Sequence, residues 1–127
     1  MLEPEKITYY MHTLDQRGEF LGLTNQGNWQ EINLVKTQAD QMRGNHFHIK
    51  TNEVIFLLSG QVKIELWDCN DLSKKSSLIL NAGEGIKITP YILHRFHYLE
   101  NSVHIQLLDT PFNSENQDLH TLISDKV

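Results

Sequence analysis

Arg43-Gly44-Asn45-His46-Phe47-His48-Ile49-Lys50-Thr51-Asn52-Glu53 is the stretch on which the reading of this chain turns. On a β-strand alternate residues share a face, so His46 and His48 project together and Phe47 points the other way. Polar Lys50-Thr51-Asn52 lets the chain turn, and Glu53, opening the next apolar run, can rejoin the side of the histidines. Two imidazoles and a carboxylate converging inside a barrel make most of a transition-metal site. A fourth ligand has to come from another strand, and His94, after Thr89-Pro90-Tyr91-Ile92-Leu93, is the candidate. A lone His-x-His is common on strands, and Glu53 alone reads equally well as a solvated residue. The joint occurrence, with Gly44 and Gly60 at the ends and a second Gly/Pro-framed histidine, points to one shared site.

The surrounding sequence alternates with period two, the mark of half-buried strands. Gln61–Trp67 shows it best, with Val62, Ile64 and Leu66 on one face and Lys63 and Glu65 on the other. Ile86–Thr89 repeats it, as does Val103–Leu107, where His104 and Gln106 oppose Val103, Ile105 and Leu107; Glu31–Val35 and Ile7–Met11 are weaker cases. Val54–Leu58 is apolar on both faces, as a central strand is. Turn signals at Asp15–Gly18, Asn25–Asn28, Ser59-Gly60, Asp68–Leu72 and Asn81–Gly85 separate these runs. Many short strands at close spacing predict an all-β sandwich or barrel. One helix is expected at the end, where Ser114-x-x-Gln117 has capping-box form and Leu119, Leu122 and Ile123 follow at helical spacing.

Bulk composition narrows the function. The 127 residues suit one domain, and 16 Asp+Glu against 11 Lys+Arg, with no basic cluster, disfavour a nucleic-acid or anionic-membrane role. The longest apolar run, Val54–Leu58, is too short to span a bilayer, and Met1–Lys6 has no secretory signal pattern. Cys69 is alone and no Asn-x-Ser/Thr sequon occurs, so a reducing cytoplasm is the expected compartment.

The first stretch resembles the first cupin motif: Gly, His-x-His, a gap of three or four residues, Glu, and Gly after six more. The gaps here are Ile49–Asn52 and Val54–Ser59, so the motif runs over 44–60. Residues 85–94 are similar to the second motif, with Thr89 where Pro is usual and Tyr91 where Gly is usual. Gly44 also stands closer to His46 than the general pattern has it. A narrower likeness is to RmlC-like cupins of sugar-nucleotide metabolism, carried by Arg43-Gly44-Asn45-His46-x-His48, Thr51-Asn52-Glu53 and Leu58-Ser59-Gly60. The zinc-bearing epimerase domain of a bifunctional capsular-polysaccharide enzyme is nearest. Asp15-x-Arg17-Gly18 and Ser102-Val103 to Asp109-x-Pro111-Phe112 resemble the flanks of deoxysugar 3,4-ketoisomerases. Those usually carry Gln at the position of Glu53 and work without a metal, so Glu53 tilts the chain toward the metal-bearing branch.

The resemblance implies a single cupin domain over residues 1–127, an RmlC-like jelly-roll barrel holding one divalent metal (Zn, Fe, Ni or Mn) on His46, His48, Glu53 and His94. It implies an epimerase or isomerase of a 4-keto nucleotide sugar in polysaccharide biosynthesis. An Fe-dependent dioxygenase and a non-catalytic small-ligand-binding cupin are the alternatives. Proton transfer then needs a base that is not a metal ligand. The candidates are His104, Tyr98, Tyr91 and Tyr9, with His104 read either as that base or as an exposed strand residue, depending on which face lines the cavity. His12, His97 and His120 read as surface residues. Arg43 and Arg95 are the best handles for a diphosphate, or else ordinary ion-pair residues. The cupins it resembles are dimers built through N-terminal strands, here Lys6–Phe20.

Overall fold

The structure is a computed structural model and describes residues 5–122. Eleven strands run in the described chain: β1 (Lys6–Thr8), β2 (Met11–Asp15), β3 (Gly18–Gly22), β4 (Glu31–Thr37), β5 (Met42–His46), β6 (Glu53–Ser59), β7 (Gln61–Asp68), β8 (Asp71–Asn81), β9 (Glu84–Ile88), β10 (Ile92–Tyr98) and β11 (Ser102–Leu108). They form a five-stranded sheet in the order β1-β9-β6-β11-β4, a four-stranded sheet β5-β10-β7-β8, and the separate hairpin β2-β3. Every ladder is antiparallel.

The two larger sheets close over a core of Ile55, Leu57, Val62, Ile64, Leu66, Leu80, Ile86, Ile88, Phe96 and Tyr98. Strand alternation brings these side chains to one side, and burial of each aliphatic or aromatic group stabilises the barrel by roughly 1.5–3 kcal/mol. Val54, Phe56 and Leu107 face outward from the five-stranded sheet and are covered by Ile7, Leu23 and Trp29. The apolar face of β11 is therefore the outer one, and its polar face, with His104 and Gln106, lines the interior. Strand β8 has a polar sequence, Ser73-Lys74-Lys75-Ser76-Ser77, that gives no alternation signal. It survives as a strand because it is an exposed edge, where lysines also discourage pairing with other chains.

The expected C-terminal helix is absent from the described residues, and Ile123 lies outside them. Ser114–Asn116 make only a turn, and the chain then runs extended until His120 bridges Phe47 through two backbone hydrogen bonds of 2.9 and 3.0 Å. The reason is Asp118. Its carboxylate accepts the backbone N–H groups of Ile49 (2.8 Å), Lys50 (2.9 Å) and Thr51 (2.9 Å) and the Thr51 hydroxyl (2.7 Å). Those tertiary bonds outweigh a marginal local helix. Asp109 secures the next residue, accepting the backbone N–H of Asn52 at 2.7 Å and its amide at 2.9 Å. Two tail aspartates thus clamp the loop between His48 and Glu53. No helix among the described residues is long and apolar enough to cross a membrane.

Hydrogen bonds to a charged acceptor contribute roughly 1.5–3 kcal/mol each. Asp118→Ala is expected to lower the unfolding free energy by about 2–3 kcal/mol in urea titrations, set against the roughly 0.5 kcal/mol typical of surface substitutions.

Candidate metal centre and cavity

A backbone irregularity positions the first histidine. Gly44 and Asn45 both lie at positive φ (92° and 63°), and the β5–β10 register shifts between His94 and Arg95. The bulge sets His46 directly opposite His94, while Arg95 pairs with Gly44. A Cβ at position 44 would sit 2.8 Å from the His94 carbonyl oxygen, so glycine is required by space as well as by φ. Tyr91, standing where the family usually has glycine, also has positive φ (62°), and its N–H donates to the His48 carbonyl at 2.7 Å.

His46, His48, Glu53 and His94 converge, with one donor atom from each lying within 4.8 Å of the others. Glu53 and His94 are fully buried, His48 nearly so, and His46 half-buried toward the opening. His48 donates Nδ1–H to the Asp118 carbonyl (2.7 Å), and His94 donates Nδ1–H to the Ile92 carbonyl (3.0 Å). A carbonyl only accepts, so both tautomers are set and each Nε2 presents its lone pair inward. His48 Nε2 lies 2.8 Å and His94 Nε2 3.6 Å from Glu53 Oε1, and His94 Nε2 has no hydrogen-bond partner among the described residues.

Lone pairs facing a carboxylate at that range require a positive charge among them. Without a metal, a proton on His48 supplies it. Burial disfavours that proton, but the Glu53 hydrogen bond and the Asp118 carbonyl outweigh burial and raise the His48 pKa. Burial likewise opposes ionisation of Glu53, yet the His48 bond, the neighbouring His94 and a Gln106 bond hold its pKa down at about 2. His46 is lowered to about 4, chiefly by burial and then by His94, while burial also lowers His94. Two imidazoles with inward lone pairs, a third beside them at His46, one carboxylate and an orphaned buried nitrogen fit a divalent transition metal.

A cavity of about 740 Å³ opens beside this cluster, lined among others by His46, His48, Gln106, Asn33, Lys50 and Phe112. That volume suits a small-molecule ligand. The tail after β11 forms much of its wall.

The other residues singled out in the sequence fall elsewhere. His104 is 3% exposed, so it is no surface residue; its Nε2 lies 2.8 Å from the Tyr98 hydroxyl. Burial lowers the His104 pKa and pushes that of Tyr98 up to about 12. This pair packs against Phe96, whose other neighbour is His94, and does not line the large cavity. Tyr91 stacks on Phe47, half exposed and outside the cavity, and Tyr9 packs against His12 at the surface. Arg43 donates to the Thr37 hydroxyl at 2.8 Å and borders a separate hollow of about 300 Å³. Arg95 bonds Glu65 at 3.1 Å and lies 5.0 Å over the Trp67 ring. Neither arginine lines the cavity beside the cluster. Sequence reasoning missed Gln106, Asn33 and Asp118, although the polar-in alternation of β11 was the available sign for Gln106.

The two antiparallel sheets have the all-β, RmlC-like cupin fold, with this cluster between them. The sequence matches the family described as polysaccharide biosynthesis C-terminal domain over residues 13–120, and the chain belongs to that family. No curated protein matches it. Similar solved structures include a 3,4-ketoisomerase from Helicobacter canadensis (TM-score 0.78, 20% identity, 94% of this chain and 90% of that one covered). A mutant of a 3,4-ketoisomerase from Thermoanaerobacterium thermosaccharolyticum, in complex with TDP-4-keto-6-deoxyglucose, matches at TM-score 0.74 and 21% identity, with 91% of this chain and 87% of that one covered. The capsular polysaccharide assembling protein CapF from Staphylococcus aureus matches at 0.70 and 21% identity, covering 88% of this chain but 34% of that one.

Gly44→Ala is expected to cost about 1–3 kcal/mol of stability, the usual range for forcing a side chain into strained backbone. Denaturant unfolding measures this, and an unchanged midpoint would mean the bulge is dispensable.

Proposed function

We propose that this protein is a metal-binding cupin that epimerises or isomerises a 4-keto nucleotide sugar in cytoplasmic polysaccharide biosynthesis, with the chain acting as one domain. The observation that carries the proposal is the convergence of His46, His48, Glu53 and His94 beside a cavity of about 740 Å³. Family membership and the relative holding TDP-4-keto-6-deoxyglucose support the substrate class.

A divalent ion such as Zn, Fe, Ni or Mn on those four residues would supply a Lewis acid for the substrate carbonyl. The protein's own work is then to hold the sugar and move a proton between carbon and base. Carbon beside a carbonyl loses its proton to a base; return to the other face gives an epimer, and delivery to the neighbouring oxygen gives an isomer. The four ligands have their lone pairs committed and are unsuited to the role. His104 is held neutral by burial and is bonded to Tyr98, which makes the pair the leading base and acid. The tail and the His48–Glu53 loop line the cavity through residues 110–114 and 116–119, Lys50 and Thr51.

A second reading has its own observation. Tyr98 and His104 do not line the cavity, which supports a cupin that binds a small ligand without turning it over. The hairpin β2-β3 supports a homodimer. It exposes Leu14 (71%) and Phe20 (64%), and an isolated two-stranded ribbon is marginal in water.

Three measurements test these readings. Protein purified without chelator or affinity resin should contain close to one metal ion per chain by elemental analysis; a metal-free result would exclude the metal-bearing reading. Incubated in D₂O with 4-keto-6-deoxy nucleotide sugars, it should exchange a carbon-bound proton, and His48→Ala should abolish that exchange. Specific binding with no exchange would favour the second reading. Light scattering should give the mass of a dimer, and a monomer would remove the proposed role of the hairpin.

A further inference from the structure

Glu53 offers two carboxylate oxygens, and the structure uses them differently. Oε1 faces the Nε2 atoms of His48 and His94, at 2.8 and 3.6 Å. Oε2 accepts the side-chain amide N–H of Gln106 at 2.8 Å. Gln106 is itself oriented, because its Oε1 accepts the Asn33 amide at 3.0 Å. Asn33 also donates to Glu31 Oε2 at 2.8 Å, and Glu31 Oε1 accepts the Phe112 backbone N–H at 2.7 Å. This gives the run of contacts one polarity. Asn33 can only donate to Gln106, so Gln106 must turn its oxygen to Asn33 and its N–H₂ to Glu53. The run crosses three neighbouring strands, β4, β11 and β6, and ends on the tail that walls the cavity.

A free carboxylate can swing to bind a cation through either oxygen or both. With Oε2 held toward Gln106, Oε1 is the oxygen turned to the cluster. We infer that Gln106, oriented by Asn33, is a positioning residue that restricts Glu53 to one-oxygen ligation and so sets the affinity and geometry of the metal centre. The inference rests on the metal-binding reading above and goes beyond it, since neither Gln106 nor Asn33 is itself one of the ligands. Groups that orient a ligand from behind typically change metal affinity by roughly 10–100-fold when removed.

The test is titration of the chelator-treated full chain with Co²⁺, read by visible absorption and by calorimetry. Gln106→Leu keeps the approximate shape and removes the donor. It should weaken Co²⁺ binding about 10–100-fold and alter the d–d band, while circular dichroism stays that of the wild type. Asn33→Asp provides the variant that never touches Glu53. A carboxylate at 33 cannot donate, so Gln106 loses the partner that orients its amide, and binding should weaken by about 10-fold with the same spectral change. Arg95→Ala, on the outer face, should bind as wild type does. If Gln106→Leu folds and binds Co²⁺ with unaltered affinity and spectrum, the positioning role is overturned and the metal site stands. If Gln106→Leu misfolds, Asn33→Asp decides, and unaltered binding there overturns the inference. Failure of the wild-type chain to bind Co²⁺ overturns the metal reading itself, and with it the inference.

Discussion

A carboxylate with no exposure to water stands at the centre of this barrel. Glu53 is 0% exposed, and an uncompensated charge in such a place costs several kcal/mol. Much of the local architecture can be understood as compensation for it. His48 bonds one oxygen, and against the pull of burial that contact raises its pKa; Gln106 ties the other, and each helper is held by another group, the Asp118 carbonyl and Asn33. The same demand explains why the tail docks. Asp118 serves twice, its carbonyl fixing the His48 tautomer and its carboxylate fixing the loop that leads from His48 to Glu53.

The cluster was legible in the sequence because the rules that place it are local. Alternation puts His46 and His48 on one side, and the turn at 50–52 returns the chain with Glu53 in register. His94 required the second motif, since nothing local states that β10 lies against β5. The polar residues were harder. An apolar stripe on a strand ordinarily marks the inside, and β11 reverses that: Leu107 packs beneath Ile7, Leu23 and Trp29 on the outer face, while His104 and Gln106 face inward. The reversal follows from the cavity, because a barrel that holds polar groups inside and carries a covering segment outside has two buried faces. Sequence alternation cannot tell which is which.

The end of the chain failed for a related reason. Ser114 to Leu122 has a helical signature, but a short helix alone contributes little, and a four-donor site for Asp118 on another loop contributes more. The arginines show the converse. Arg43 and Arg95 have the right chemistry for a diphosphate, yet each is engaged with a neighbouring strand, Arg43 on Thr37 and Arg95 on Glu65 and Trp67. Guanidinium chemistry is read from one residue, whereas its use depends on which partner the fold brings near.

Two polar networks share this interior, separated by Phe96. One runs from Glu53 through Gln106 and Asn33 to the cavity wall. The other comprises Arg43, which donates to the Thr37 hydroxyl, and the buried pair of Tyr98 and His104. The Tyr98 hydroxyl lies 2.8 Å from His104 Nε2. Burial disfavours a second proton on the His104 ring and so favours its neutral form. The ring of His104 lies 6.3 Å from that of Phe96, and Phe96 lies 5.5 Å from His94. For the second network to serve the first, a substrate carbon must come within hydrogen-bond range of His104 or Tyr98 while its carbonyl stays at the histidine cluster. The Phe96 ring touches both networks, and its bulk is what the fold has placed between the two histidines.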